Sequence, residues 1–319
     1  MKKIFAALLT ALPLLAVDGI VVNGTTGVPQ AGVKINLVQP TQNGMVPLGD
    51  AVSGSQGEFR IDKAIPPGPG LLQATFEGNT YNQIIAPGMP TSGVRVAVYN
   101  STRDAKIGTP SEHLILLERD DQQIKISETF IFQNQSSTTF ADPVNGSVRF
   151  YLPPAAGGKA QAIISAPGGM PIPRSPIALG KQDLYKIDYP VKPGETRMEV
   201  SYSLPASDSF VGKIASSSAS THLVTPFSVT VEGPGVEPAG QEPQTQAHIY
   251  TLRGASFNLK ITGSGSLRNE QPAETDEDSG QHQVEVAPAR IYSKQNWILG
   301  IIFGILAIGG WMLFQKRVA

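Results

Sequence analysis

The sequence predicts an all-β chain held at a membrane by one C-terminal helix, and three observations carry that expectation. Apolar and polar residues alternate with period two in short segments throughout residues 18–262, where no segment sustains a period of 3.6. The 33 glycines and 26 prolines fall largely between those segments, as turns between strands require. Residues 297–314, WILGIIFGILAIGGWMLF, form an apolar run without a charge. As a helix that run reaches about 27 Å, close to the hydrocarbon thickness of a bilayer.

The ends define a topology. Lys2 and Lys3 precede an apolar stretch over residues 4–17, the pattern of a secretory signal over residues 1–17, with cleavage points after Ala16 or Gly19. At the other end Trp297 and Trp311 stand near the two limits of the apolar run, where amphipathic rings settle at headgroup level. Lys316 and Arg317 follow as a positive stop, so residues 315–319 are expected in the cytoplasm and the body outside it.

Within the body, Ile20-Val21-Val22 reads as a strand leading into Gly- and Pro-rich turns, and residues 33–38 alternate as a half-buried strand. Glu58-Phe59-Arg60-Ile61 alternates again, with Phe59 and Ile61 directed inward. Further strands are expected at residues 71–76, 94–99, 114–117, 124–132, 148–152, 184–189, 196–202, 223–231, 247–252 and 257–261. These divide into one sandwich over residues 18–100 and a second over 101–262. Residues 263–296 hold few large apolar side chains and an acidic cluster at 274–278, which reads as a flexible stalk.

Composition removes several function classes. A net charge of −1 with 16% charged residues offers no electrostatic footprint for nucleic acid. The chain has no cysteine, which excludes disulfides, thiolate chemistry and cysteine-ligated metals. The four histidines are His113, His222, His248 and His282. Only His282 has a Glu three residues on, Glu285, and no further histidine follows it to complete a zinc site. No Gly-x-Ser-x-Gly elbow opens a helix, and no glycine-rich segment has the strand-to-helix context of a phosphate loop. The expectation is therefore a protein with no catalytic, cofactor or metal residues.

The order of features over residues 18–100 carries a resemblance. An apolar strand, Gly-Val-Pro-x-x-Gly-Val at 27–33, an alternating strand, Gly-x-Phe at 57–59, and a Pro-Gly-rich turn into another strand together resemble the carboxypeptidase regulatory-like domain. Ser53-Gly54 stands where that family commonly has Thr-Asp, and Leu71 and Leu72 stand where a Tyr usually follows the turn. The resemblance implies a transthyretin-like (prealbumin-like) seven-stranded β-sandwich used as an accessory module in exported bacterial proteins. A Lys-Pro-Gly-Glu turn at 192–195 between alternating strands resembles the edge turns of Ig-like exported sandwiches.

These readings converge on a membrane-anchored extracytoplasmic module of the bacterial cell envelope, single-pass, with its body periplasmic or extracellular. It would bind or scaffold an envelope protein partner, without catalysis. The alternatives are a carbohydrate-binding module, with Phe76, Tyr81 and Tyr99 as candidate stacking residues, or an accessory subunit of an exported enzyme.

Overall fold

Twenty-three strands and one 3-10 turn, Pro154–Ala156, make up the computed structural model, which describes residues 16–42, 44–180 and 183–267. The chain is all-β. Among the described residues no helix is long and apolar enough to cross a membrane. The run at 297–314, its flanking Trp297, Trp311, Lys316 and Arg317, residues 1–15, the acidic cluster and His282 lie outside the described residues.

Two separate hydrophobic cores organise the strands. The first is buried between a three-stranded and a four-stranded sheet. The three-stranded sheet runs Glu58–Ile61, Val17–Asn23, Val94–Val98. The four-stranded sheet runs Gly44–Val52, Lys34–Thr41, Gly70–Phe76, Asn79–Ile85. Val17, Phe59 and Ile61 from one sheet meet Ile35, Leu37, Leu72 and Tyr81 from the other. The period-two reading of Glu58–Ile61 holds residue by residue: Phe59 and Ile61 are buried, Glu58 and Arg60 exposed. Two glycines permit this packing. A side chain at Gly19 would place its Cβ 1.9 Å from the Val94 carbonyl oxygen, across the parallel pairing of those strands. Gly57 has φ +75°; its N–H donates to the Gly54 carbonyl at 2.9 Å, closing the turn before Phe59, and its carbonyl accepts from the Val21 N–H at 2.8 Å.

The second core lies under one eight-stranded sheet. Its order is Ile172–Arg174, Gln161–Ser165, Gly194–Pro205, Gln123–Asn134, Glu112–Arg119, Thr221–Thr225, His248–Leu252, Val236–Gln241. Two three-stranded sheets cover its inner face, one holding Val148–Tyr151 and the other Ser256–Thr262. The central pair, Gln123–Asn134 with Gly194–Pro205, is antiparallel over 12 residues each. Phe130, Phe132, Met198 and Val200 on that pair are almost fully buried.

Several strands depart from the sequence expectation. Residues 223–231 divide into Thr221–Thr225 and Thr230–Glu232, separated by a turn in which the Val229 N–H donates to the Pro226 carbonyl. Pro226 has no N–H to continue a ladder. The unanticipated strand Gly44–Val52 carries Pro47 but lies at a sheet edge, where a missing donor is tolerated.

Candidate functional site

A groove of about 780 Å³ lies on the outer face of the eight-stranded sheet. Strand alternation builds it. The inward positions of the two long central strands carry the core, leaving Lys125, Ser127, Glu199, Ser201 and Ser203 on the outer face. Register sets them side by side: Lys125 opposite Ser203, Ser127 opposite Ser201, and Ser201 opposite Gln161 on the next strand. Ser127 donates to Glu199 Oε1 at 2.9 Å. The loop through Ala156 and Gly158, which closes the 3-10 turn with Gly157 at φ 61°, forms a wall. Small hydroxyls on the floor leave room above the sheet, and Lys125, Lys159, Glu118 and Glu199 place both signs of charge around it.

The last described residues are held against Glu118, which lines this groove. Ser266 Oγ and the Leu267 N–H both donate to Glu118 Oε1 at 2.6 Å, and Arg119 and Gly265 exchange backbone hydrogen bonds. Glu118 is thereby buried with its donors in place. Leu267, the last described residue, thus lies beside Glu118 on the groove.

A second polar cluster looks catalytic by composition. His113 Nε2 lies 2.9 Å from Glu128 Oε2, and the Tyr202 hydroxyl donates to Glu128 Oε1 at 2.9 Å. All three are buried, and the His113 ring stacks on Phe130 with centroids 4.2 Å apart. A carboxylate accepts but does not donate, so His113 carries a proton on Nε2. Its Nδ1 is buried without a partner. Burial, then the negative charge of Glu128, push the Tyr202 phenol well above its ordinary value of 10.0. The cluster sits on the core face of three adjacent strands, sealed from solvent, so its chemistry serves packing rather than a substrate.

The other described histidines are pinned at the surface. Gln241 Nε2 donates to His248 Nδ1 at 3.2 Å, and His248 Nε2 donates to the Phe227 carbonyl at 3.0 Å. His222 Nδ1 lies 3.5 Å from Thr251 Oγ1. Among the described residues, no three of His, Asp and Glu are grouped to hold a metal ion.

The three aromatic residues singled out for ligand stacking lie at or near the junction of the two cores. Tyr81 is 4% exposed, and its hydroxyl bridges the Tyr99 carbonyl at 2.8 Å and Thr139 Oγ1 at 2.9 Å. Tyr99 is half-buried against the Tyr81 ring at 5.8 Å, and Phe76 is half-buried against the first core. Sugar stacking needs an open ring face. Tyr81 has none, and its role is to tie the first core to the second. Around it, Thr25 Oγ1 donates to the Ser137 carbonyl and Ser101–Thr102 pairs with Thr139–Phe140. Lys192 reaches across from the second core to donate to the Thr80 carbonyl, with its ammonium 5.3 Å from the Tyr81 ring centroid and 5.8 Å from that of Tyr189. Desolvation there pulls Lys192 down to about 8.

The groove residues were not singled out in the sequence. Their signal is the polar half of the two longest alternating strands, which carries Ser127, Ser201 and Ser203 where Lys and Glu are the ordinary solvent-facing choice.

No family model matches the chain, and no curated protein matches it. Among solved structures it is similar to an M1 zinc metallopeptidase from Deinococcus radiodurans at 9% identity and a TM-score of 0.23. That match covers 48% of this chain and spans 42% of the metallopeptidase.

Proposed function

We propose that this protein is a non-catalytic binding or scaffold module of the cell envelope, held to the membrane by residues 297–314 and displayed on the extracytoplasmic side. The groove on the eight-stranded sheet takes an extended polar segment of an envelope protein partner. The observation that carries this reading is the groove itself. A floor of Ser127, Ser201 and Ser203 presents small donors and acceptors in strand register, while Lys125 and Glu199 supply charges of both signs. The last described residues pair beside this groove, and the expected stalk that follows them in sequence would hold a bound partner near the bilayer at raised effective concentration.

Seven strands in a three-plus-four arrangement around one core support reading residues 18–100 as a carboxypeptidase regulatory-like, transthyretin-like sandwich. The antiparallel strands of the second core support an Ig-like derivation for residues 101–262, enlarged by a shared eight-stranded sheet.

Complementation of a deletion strain tests the proposal. Ser201→Trp fills the groove floor on a solvent-facing position and should abolish function while the protein accumulates normally at the membrane. The double variant His222→Asn/His248→Asn should complement fully. His113 is left intact, because its replacement would disturb the core rather than report on catalysis. Full complementation by Ser201→Trp, or loss of function in the double histidine variant with normal accumulation, would overturn the reading.

A further inference from the structure

The two sandwiches are joined by polar contacts rather than by a common core. Neither hydrophobic cluster contains a residue of the other, and the half-buried apolar residues packed against each belong to its own side. The chain crosses between them through Ser101–Thr102, which pairs in parallel with Thr139–Phe140. Beside that crossing stand the Thr25 contact to the Ser137 carbonyl, the Tyr81 hydroxyl between the Tyr99 carbonyl and Thr139 Oγ1, and the Lys192 ammonium on the Thr80 carbonyl. A large apolar interface locks two domains together, whereas a small polar one leaves them able to move relative to each other.

Lys192 enters this junction without a counter-ion. Its ammonium has three N–H donors and one acceptor, the Thr80 carbonyl, and no carboxylate among the described residues pairs with it. The titratable groups that face it are phenols from both sandwiches, Tyr81 with its ring centroid at 5.3 Å and Tyr189 at 5.8 Å, with Tyr99 behind Tyr81. Glu77 acts on the Tyr81 phenol and Arg174 on that of Tyr189, while the ammonium itself is perturbed by desolvation alone.

The contact therefore contains two opposed effects. The hydrogen bond and the attraction of the cation to the ring faces draw the second sandwich onto the first. Desolvation of a charge with no anion beside it acts against closure. A neutral amine keeps the packing of the side chain and sheds that cost, so loss of the proton favours the closed junction over one in which Lys192 reaches water.

We propose that the junction is a hinge with Lys192 as its latch, in which protonation of the amine shifts the two sandwiches from the closed arrangement toward an open one with the ammonium in water. In the closed junction Lys192 titrates at about 8, and opening returns it to the ordinary 10.5. Between those values the open state binds more protons, so the ratio of open to closed molecules rises as pH falls and levels off below about 8. From pH 9.5 to pH 7 the two values raise that ratio about 30-fold. Opening turns the first sandwich relative to the groove of the second and uncovers the Thr80 carbonyl on the last strand of the four-stranded sheet.

Spin labels read the hinge, because the chain has no cysteine and each introduced cysteine is labelled alone. Met89 in the first sandwich and Val211 in the second are both exposed, so Met89→Cys/Val211→Cys reports the distance between the sandwiches by pulsed electron paramagnetic resonance of the full-length protein in detergent. Val52→Cys/Met89→Cys, with both exposed positions in the first sandwich, is the control. Across the junction, the ratio of displaced to closed distances should fall at least about tenfold from pH 7 to pH 9.5, while the control pair stays constant. Lys192→Met, neutral at both, should hold the closed distance throughout. Lys192→Arg, charged at both, should keep its pH 7 distribution at pH 9.5. A distance across the junction that does not respond to pH overturns the proposal, as do a response that survives in Lys192→Met, closure of Lys192→Arg at pH 9.5, or an equal change in the control pair, which would be loosening of the first sandwich itself.

Discussion

His113 and Tyr202, on strands that flank the same central strand, hydrogen-bond the two oxygens of one buried carboxylate, Glu128, each at 2.9 Å. Three polar groups enter the largest core as a matched set. Removing the acceptor would strand two buried donors, and Glu128→Ala should lower stability by about 3–5 kcal/mol. Glu128→Gln should cost less, because the amide retains an acceptor and both neighbours can adjust their own protons. Urea unfolding of both variants checks this. Equal loss in the two would mean that charge rather than hydrogen-bond capacity holds the set together.

Lys192 couples the two cores and gives the protein a specific pH response. Its folded value is pulled down to about 8 by desolvation, while in the unfolded chain it returns to the ordinary 10.5. Between those values the unfolded state binds more protons than the folded state, so the contribution of this residue to stability grows as pH rises and is lost as pH falls through about 8. The phenols Tyr81, Tyr189 and Tyr202 are all raised above 10.0 by burial and act in the opposite direction at higher pH. Urea midpoints between about pH 7.5 and 9.5 isolate the lysine. Over that range the stability of the natural protein relative to Lys192→Met should climb. A flat difference would place the ammonium in solvent.

Phe59 and Arg60 are chain neighbours with opposite fates. Phe59 is 4% exposed in the first core, whereas Arg60 among the described residues pairs with the exposed Asp62 at 2.7 Å. Phe59→Ala should cost about 3–5 kcal/mol through the cavity it leaves. Arg60→Ala should cost less than about 1 kcal/mol, since an exposed ion pair contributes little. Denaturant titration of the two variants separates them, and similar losses would refute the orientation of the strand.

The fold class was legible wherever alternation was strong. Glu58–Ile61 and the long strands around Phe130 and Met198 show the period of two because one face is core and the other solvent. Gly44–Val52 was not legible: it carries Pro47 and lacks clear alternation, and only pairing with Lys34–Thr41 makes it a strand. The candidate sites were less visible still. Ser127, Ser201 and Gln161 come from three segments whose register is set by folding, so no local window contains the groove floor. Tyr81 shows the converse. Its aromatic character suggested a ligand platform, but a hydroxyl with two partners across the junction between the cores could be found only in three dimensions.

Of the two signal cleavage points expected from the sequence, the one after Ala16 is compatible with the first strand. Val17 is fully buried and pairs with Ile61, while Asp18 donates its N–H to the Thr91 carbonyl and accepts from the Gly93 N–H, both at 3.0 Å. Gly19 then passes so close to Val94 that no other side chain fits. Cleavage after Gly19 would delete these three residues, forfeiting about 1.5–3 kcal/mol from Val17 alone. Cleavage after Ala16 leaves the strand whole. A protein processed as proposed should therefore begin at Val17 by N-terminal mass spectrometry. An N-terminus at Ile20 would show that the first core forms without half of its first strand, and would require the pairing of Asp18 with Arg60 to be dispensable.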